Sequence, residues 1–214
     1  MSAADERAEE IRDRPERWEV VGRVEHFRGR VAGLRSDQVK MPGGAGMEVV
    51  TREVVTHPGS VGVVALDDAG RVLLIRQYRH AVGRLLWEVP AGLRDVPGEP
   101  LRELAERELL EEAGHRAAQW HTLADVFPSP GVSEERVRIF LARQVTEVPA
   151  EEIDFQRVHE EADMPVVWVP LEEAVVRVLR GDIHNALAVA GILGAHAARA
   201  NGFRDLRPAD APED

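Results

Sequence analysis

GLRDVPGEPLRELAERELLEEAGH, residues 92–115, carries its own punctuation. Pro100 suits a first helical turn, where a missing N–H costs nothing, and Gly114 suits the left-handed residue just past a helix end. The spacing therefore predicts a helix over residues 100–113. At 3.6 residues per turn, Leu101, Leu104, Ala105, Glu108, Glu111 and Glu112 fall on a single stripe. That stripe begins apolar and ends acidic. A surface helix ordinarily turns its apolar side inward and its charges outward, but here three carboxylates extend the face that must be buried. They are expected to point into a cleft.

Two unit charges about 4 Å apart repel by roughly 4 kcal/mol at an effective dielectric near 20, so three clustered acids call for a cation among them. Carboxylate oxygens suit Mg²⁺ or Mn²⁺, and acids at i, i+3 and i+4 can hold such ions while leaving positions open for water and phosphate. On this reading Glu108 and Glu112 are the first metal ligands and Glu111 shares the site. A bare ExxEE reads more readily as a solvated acidic patch; the neighbours argue otherwise. Arg107 directly precedes Glu108, Gly92 follows Pro90-Ala91, and Glu99 stands eight residues before Arg107. Arg107 lies outside the acidic stripe, which suggests that it pairs with an acid such as Glu99 and fixes its orientation.

Arg107-Glu108-Leu109-Leu110-Glu111-Glu112-Ala113-Gly114, with Glu99 and Gly92 upstream, resembles the Nudix box, G-x5-E-x7-R-E-U-x-E-E-x-G-U with U a bulky aliphatic. Two departures are visible. Six residues, not five, separate Gly92 from Glu99, which implies a one-residue bulge in the loop entering the helix, and His115 replaces the final aliphatic. Neither removes an acid.

The chain has 214 residues, 44% of them apolar, enough for one domain with an appended arm. Its net charge of −11 argues against a nucleic-acid or anionic-membrane surface, since those are gripped by Lys and Arg clusters. A small phosphorylated substrate stays open, because a metal neutralises its charge locally. With no cysteine, disulfides, thiolate nucleophiles and Cys-ligated zinc are excluded. No apolar run reaches membrane-spanning length and the first residues form no hydrophobic signal, so the cytoplasm is the expected compartment.

Residues 1–17 are dense in charge and read as a flexible leader. Residues 18–56 hold strand-like runs at 18–25, 29–34 and 49–55, the last entered through the turn MPGGAG. A lone small sheet is seldom stable, so this segment is expected to pack against a second copy of the chain, giving a homodimer. The main domain spans 57–203. VGVVAL, the turn Asp67-Asp68-Ala69-Gly70 and RVLLIRQYR read as a β-hairpin, followed by strands near 85–89, 137–145 and 166–169 and helices over 171–180 and 185–200. Tyr78 and Trp87 read as core aromatics. Residues 204–214 read as a loose tail. The order of elements suggests an α/β fold with a mixed sheet between helices, and the resemblance implies the Nudix α/β/α sandwich.

Beyond the box, TREVVTHPGSVGVV (51–64), RQYRH (76–80), LWEVPAG (86–92), PSPGVSEE (128–135) and HEEADM (159–164) look like the ADP-ribose pyrophosphatase branch, with Pro130 sixteen residues after Gly114. That likeness implies metal-dependent hydrolysis of ADP-ribose to AMP and ribose 5-phosphate by a homodimer whose N-terminal segments help build the partner's site. It implies further that the Ala91 carbonyl adds a metal ligand and that Glu161, with Glu160 beside it, is the general base. Arg52 and Arg79 are the candidates for holding phosphates, since guanidinium forks match phosphate oxygens, and Glu53 is a candidate contact to the nucleoside. The alternatives are another nucleoside diphosphate-X substrate, such as a nucleotide sugar, NADH or a dinucleoside polyphosphate, or a non-catalytic domain that senses ADP-ribose.

Overall fold

The computed structural model describes residues 11–155 and 164–213. Strands β1 (Val20–Arg28), β2 (Gly33–Gly43) and β3 (Gly46–Thr56) form an antiparallel sheet of their own. The run expected as a strand over 29–34 is mostly a turn. Gly29 N–H donates to the Ala32 carbonyl at 2.9 Å, so the chain reverses there and pairing resumes at Gly33 opposite Arg28. Val20, Val24, Phe27, Met47 and Val49 leave this sheet exposed to solvent.

The main sheet contains β4 (Ser60–Leu66), β5 (Arg71–Arg79), β6 (Arg84–Glu88), β7 (Ala91–Leu93), β8 (His115–Val126), β9 (Val137–Glu147), β10 (Val166–Pro170) and β11 (Arg207–Pro208). The strand order is β10-β5-β4-β9-β8-β11, with β6 on β5 and β7 on β4. β4 runs parallel to β9 and antiparallel to β5 and β7, so the sheet is mixed. In the β4–β5 turn the Asp67 carboxylate accepts the Arg71 N–H at 2.7 Å, and Gly70 takes the left-handed conformation (φ +77°) that closing it requires.

Period-two alternation sends the two faces of β4 into different cores. Val61, Val63 and Ala65 pack with Leu104, Ala105 and Leu109 of α1 (Leu101–Ala113). Val64 and Leu66 pack on the other side with Leu171 and Ala174 of α2 (Leu171–Arg180) and Ile192 and Ala195 of α3 (Ala186–Ala200). The result is a three-layer α/β/α sandwich. Pro100 stands at the N-cap of α1 rather than inside it, and Gly114 ends the helix at φ 70°, its N–H donating to the carbonyls of Leu109 and Leu110.

Three further expectations are corrected. β8 is a twelve-residue strand that the sequence pattern did not reveal. Tyr78 is 44% exposed, its hydroxyl 3.2 Å from His80 Nδ1, whereas Trp87 packs on the α2/α3 core with Arg76 stacked on its ring. The tail is tied down: β11 pairs with β8, and the buried Arg138 donates to the carbonyls of Ala211 and Pro212. No helix of the described residues is long and apolar enough to cross a membrane.

Candidate active site

The stripe on α1 continues inward as it changes chemistry. Leu104 and Ala105 are buried, and Glu108 and Glu112, one and two turns later, are buried too, at 9% and 5% exposure. What they meet is the backbone of the turn entering β7. Ala91 N–H donates to Glu112 Oε2 at 2.7 Å. The Glu108 carboxylate fills the place a side chain at residue 92 would take, its Oε1 only 2.1 Å from the ideal Cβ position, so glycine alone lets backbone and acid approach this closely.

Arg107 binds the remaining acids together. Its Nε and Nη2 grip both oxygens of Glu99 at 3.0 and 3.1 Å, while Nη1 donates to Glu108 at 2.9 Å and to Glu111 at 3.3 Å. The hydrogen bonds to Glu99 hold this guanidinium above its ordinary pKa; burial opposes the shift, and the charges of Glu108, Glu99 and Glu111 add to it. Three carboxylates, those of Glu99, Glu108 and Glu111, meet this one cation, leaving negative charge in excess.

These donors fit a hard divalent ion. Glu108 and Glu112 converge on the backbone beside the Ala91 carbonyl, all of them oxygen ligands of the kind magnesium and manganese take. Among the described residues no three acidic or imidazole side chains stand in closed coordination geometry, because Glu108 and Glu111 lean on Arg107 and Glu112 on the Ala91 N–H.

A cavity of about 250 Å³ opens beside this cluster, lined in part by Ser60, Arg79, Glu88, Ala91, Gly92 and Glu135. Arg79 reaches it in a two-bond pair with Glu88, at 2.9 and 2.6 Å, and Glu88 is 1% exposed. A carboxylate so buried is stable only when paired, so Arg79 is held at one position. Glu88 and Glu135 did not stand out in the sequence; the signal for Glu88 is an acid inside the apolar run LLWEV. Ser60 Oγ lies 3.4 Å from Glu135 Oε1, and His57 Nδ1 3.8 Å from the same atom. A larger cavity of about 410 Å³, lined by Trp87, Val167, Val169 and Arg177, lies by α2 on the opposite face of the sheet.

Arg52 and Glu53 are elsewhere, exposed on β3 of the small sheet. Arg52 donates to the Thr51 carbonyl at 3.1 Å, and Glu53 stands opposite Ser36. β3 nevertheless reaches the main domain at its end, where Val55 N–H donates to Val132 O at 2.8 Å and Glu134 N–H to Val55 O at 3.1 Å. Within one chain, therefore, the structure brings Glu99, Arg107, Glu108, Glu111, Glu112, Ala91 and Arg79 to one end of the sheet and leaves Arg52 and Glu53 apart. Glu160 and Glu161 lie outside the described residues.

Known proteins resemble this chain over most of its length. The chain is 50% identical over 182 residues to the ADP-ribose pyrophosphatase of Mycobacterium tuberculosis, covering 85% of this chain and 84% of that one. It is 30% identical over 167 residues to the ADP-ribose pyrophosphatase of Bacillus subtilis, covering 78% and 86%. The crystal structure of an ADP compounds hydrolase superposes with a TM-score of 0.69 at 21% identity, covering 89% of this chain and 99% of that one, a likeness of fold. The model of the NUDIX domain matches residues 56–189, which include α1, the β7 turn and the Arg79–Glu88 pair. With most of its length matched, and the whole acidic cluster inside the match, the chain belongs to the Nudix family.

Proposed function

We propose that this protein hydrolyses the pyrophosphate bond of ADP-ribose, giving AMP and ribose 5-phosphate, with Mg²⁺ as its ion and Mn²⁺ as a substitute. The observation that carries the reading is the seating of Glu108 and Glu112 against the Ala91–Gly92 backbone, which gathers hard oxygen donors beside a polar cavity. The two ADP-ribose pyrophosphatases support the choice of substrate, since both resemble the chain over most of its length.

Bound at these residues, the ion supplies charge neutralisation of the diphosphate and an acidified water. The chain's own groups do the rest. Glu108, Glu112 and the Ala91 carbonyl would hold the ion and Glu111 would share it, while Arg107, anchored on Glu99, sets the carboxylate orientations. Arg79, fixed by Glu88, presents its guanidinium to phosphate oxygens at the cavity. Arg52 and Glu53 serve a site built with a second subunit, in keeping with their place on the small sheet. Glu161 takes the proton from the attacking water.

Purified protein assayed with Mg²⁺ against ADP-ribose, a nucleotide sugar, NADH and a dinucleoside polyphosphate should favour ADP-ribose in kcat/KM. Glu161→Gln should lower kcat by about 10²- to 10⁴-fold, the usual worth of a positioned base, without loss of fold. Glu112→Gln should lose most Mg²⁺-dependent turnover. If Glu112→Gln keeps the parent's rate, or the parent works unimpaired in excess EDTA, the reading fails.

A further inference from the structure

Residues 207–213 cross the end of the sheet in a line of fixed contacts. Arg207 and Pro208 pair with Thr122 and His121 of β8, Thr122 Oγ1 donates to the Pro208 carbonyl at 3.0 Å, and Arg207 meets Asp125 at 2.9 Å. Ala209 packs on the α1 side of the core. Arg138, 3% exposed, binds both oxygens of Asp125 at 2.7 and 3.0 Å and spends further N–H groups on the carbonyls of Ala211 and Pro212. A buried guanidinium needs its donors satisfied, so this segment is held by the requirement that Arg138 be paired. Its last contact is Glu213 to Arg94 Nη1, at 3.1 Å.

Arg94 stands two residues beyond Gly92, and the register puts Arg138 in the same transverse row as that glycine: Gly92 faces Val61, Val61 faces Arg138, and Arg138 faces Asp125. The segment therefore ends on the loop that leaves the metal-binding turn. At this point Arg94 N–H also donates to Gly59 O at 3.1 Å. We infer that residues 207–213 are a strap that positions the Ala91–Leu93 turn against Glu108 and Glu112, with Arg94 and Glu213 as its positioning residues. The role rests on the metal site proposed above.

An isolated, partly exposed ion pair adds little to stability, so cutting this one should show at the turn and barely in the melting temperature. The test is Mn²⁺ binding to the substrate-free full chain, followed by electron paramagnetic resonance, in Arg94→Gln, Glu213→Gln and the double variant. Mn²⁺ affinity should fall about tenfold in each, the lower end for groups that orient metal ligands, and the double variant should be no worse than either single. Charge alone predicts otherwise, since removing the Arg94 cation would tighten binding of another cation. Amide hydrogen exchange at Gly92–Arg94, measured without metal, should quicken in all three. Tighter or unchanged Mn²⁺ binding in Arg94→Gln, or unchanged exchange, overturns the strap. Failure of the functional reading shows separately, as a parent protein that binds no Mn²⁺.

Discussion

Gly92 has no side chain because the Glu108 carboxylate stands where one would go. In Gly92→Ala the new methyl would lie 2.1 Å from Glu108 Oε1, and the group that must yield is the far end of a side chain, not backbone. The cost should therefore fall on ligand geometry more than on folding. We expect kcat/KM to drop about 10²-fold, as for a misplacement of about 1 Å in a reacting constellation, with a melting curve close to the parent's. A collapsed melting curve, or an unchanged rate, would contradict this account of Gly92. At this scale much was legible, because the acids, Arg107 and Gly92 lie within one run whose helical spacing is fixed. Glu88 was not, since its partner Arg79 is reached only across the β5–β6 pairing. His115, where the motif has an aliphatic, sits edge-on to Trp168 with ring centroids 5.5 Å apart and Nδ1 2.6 Å from the Ala113 carbonyl, so its ring packs while its nitrogen serves the helix end.

The elements that announced themselves did so through their ends. α2 stops at Gly181 in the left-handed conformation, and α3 begins at Asn185, whose side chain accepts the Ala188 N–H at 2.9 Å. β8 gave no such signal. HRAAQWHTLADV is alanine-rich and interrupted by polar residues, and it becomes a strand because β9 pairs with it from His115 to Val126, with β11 adding a short pairing at His121 and Thr122 on its outer side. Tertiary pairing overrides weak propensity there. The packing of α3 makes a prediction of its own. Gly191 crosses β4 so closely that a Cβ would lie 2.6 Å from Val64 Cγ2, a fully buried methyl on a stiff β-branched side chain. Alanine gains about 1 kcal/mol of helix propensity over glycine, but overpacking costs about 1–3 kcal/mol, and a branched residue pushes towards the upper figure. Gly191→Val should lower unfolding free energy by about 2 kcal/mol or more in urea titration. A neutral result would mean that α3 stands further from the sheet.

At the scale of the whole molecule the small sheet poses the remaining problem. Among the described residues its three strands form a sheet of their own, tied to the main domain by Val55 to the 132–134 segment and by Arg35 to Glu134 at 2.8 Å. Phe27 at 62% exposure, Val24 at 56% and Val49 at 57% would leave an isolated three-stranded sheet with apolar surface facing water. Burying them against a second copy would supply the missing layer and would also let Arg52 and Glu53, remote from the acids of their own chain, serve a neighbour's cleft. Light scattering at micromolar concentration should then give about twice the mass of one chain. Val24→Asp with Phe27→Ser should shift the population to monomer, because desolvating a new charge opposes association. Monomer formation should raise the KM for ADP-ribose far more than it lowers Mn²⁺ affinity, since the ligands proposed for the ion all come from one chain. A monomeric variant with the parent's KM would show instead that Arg52 and Glu53 take no part in binding across subunits.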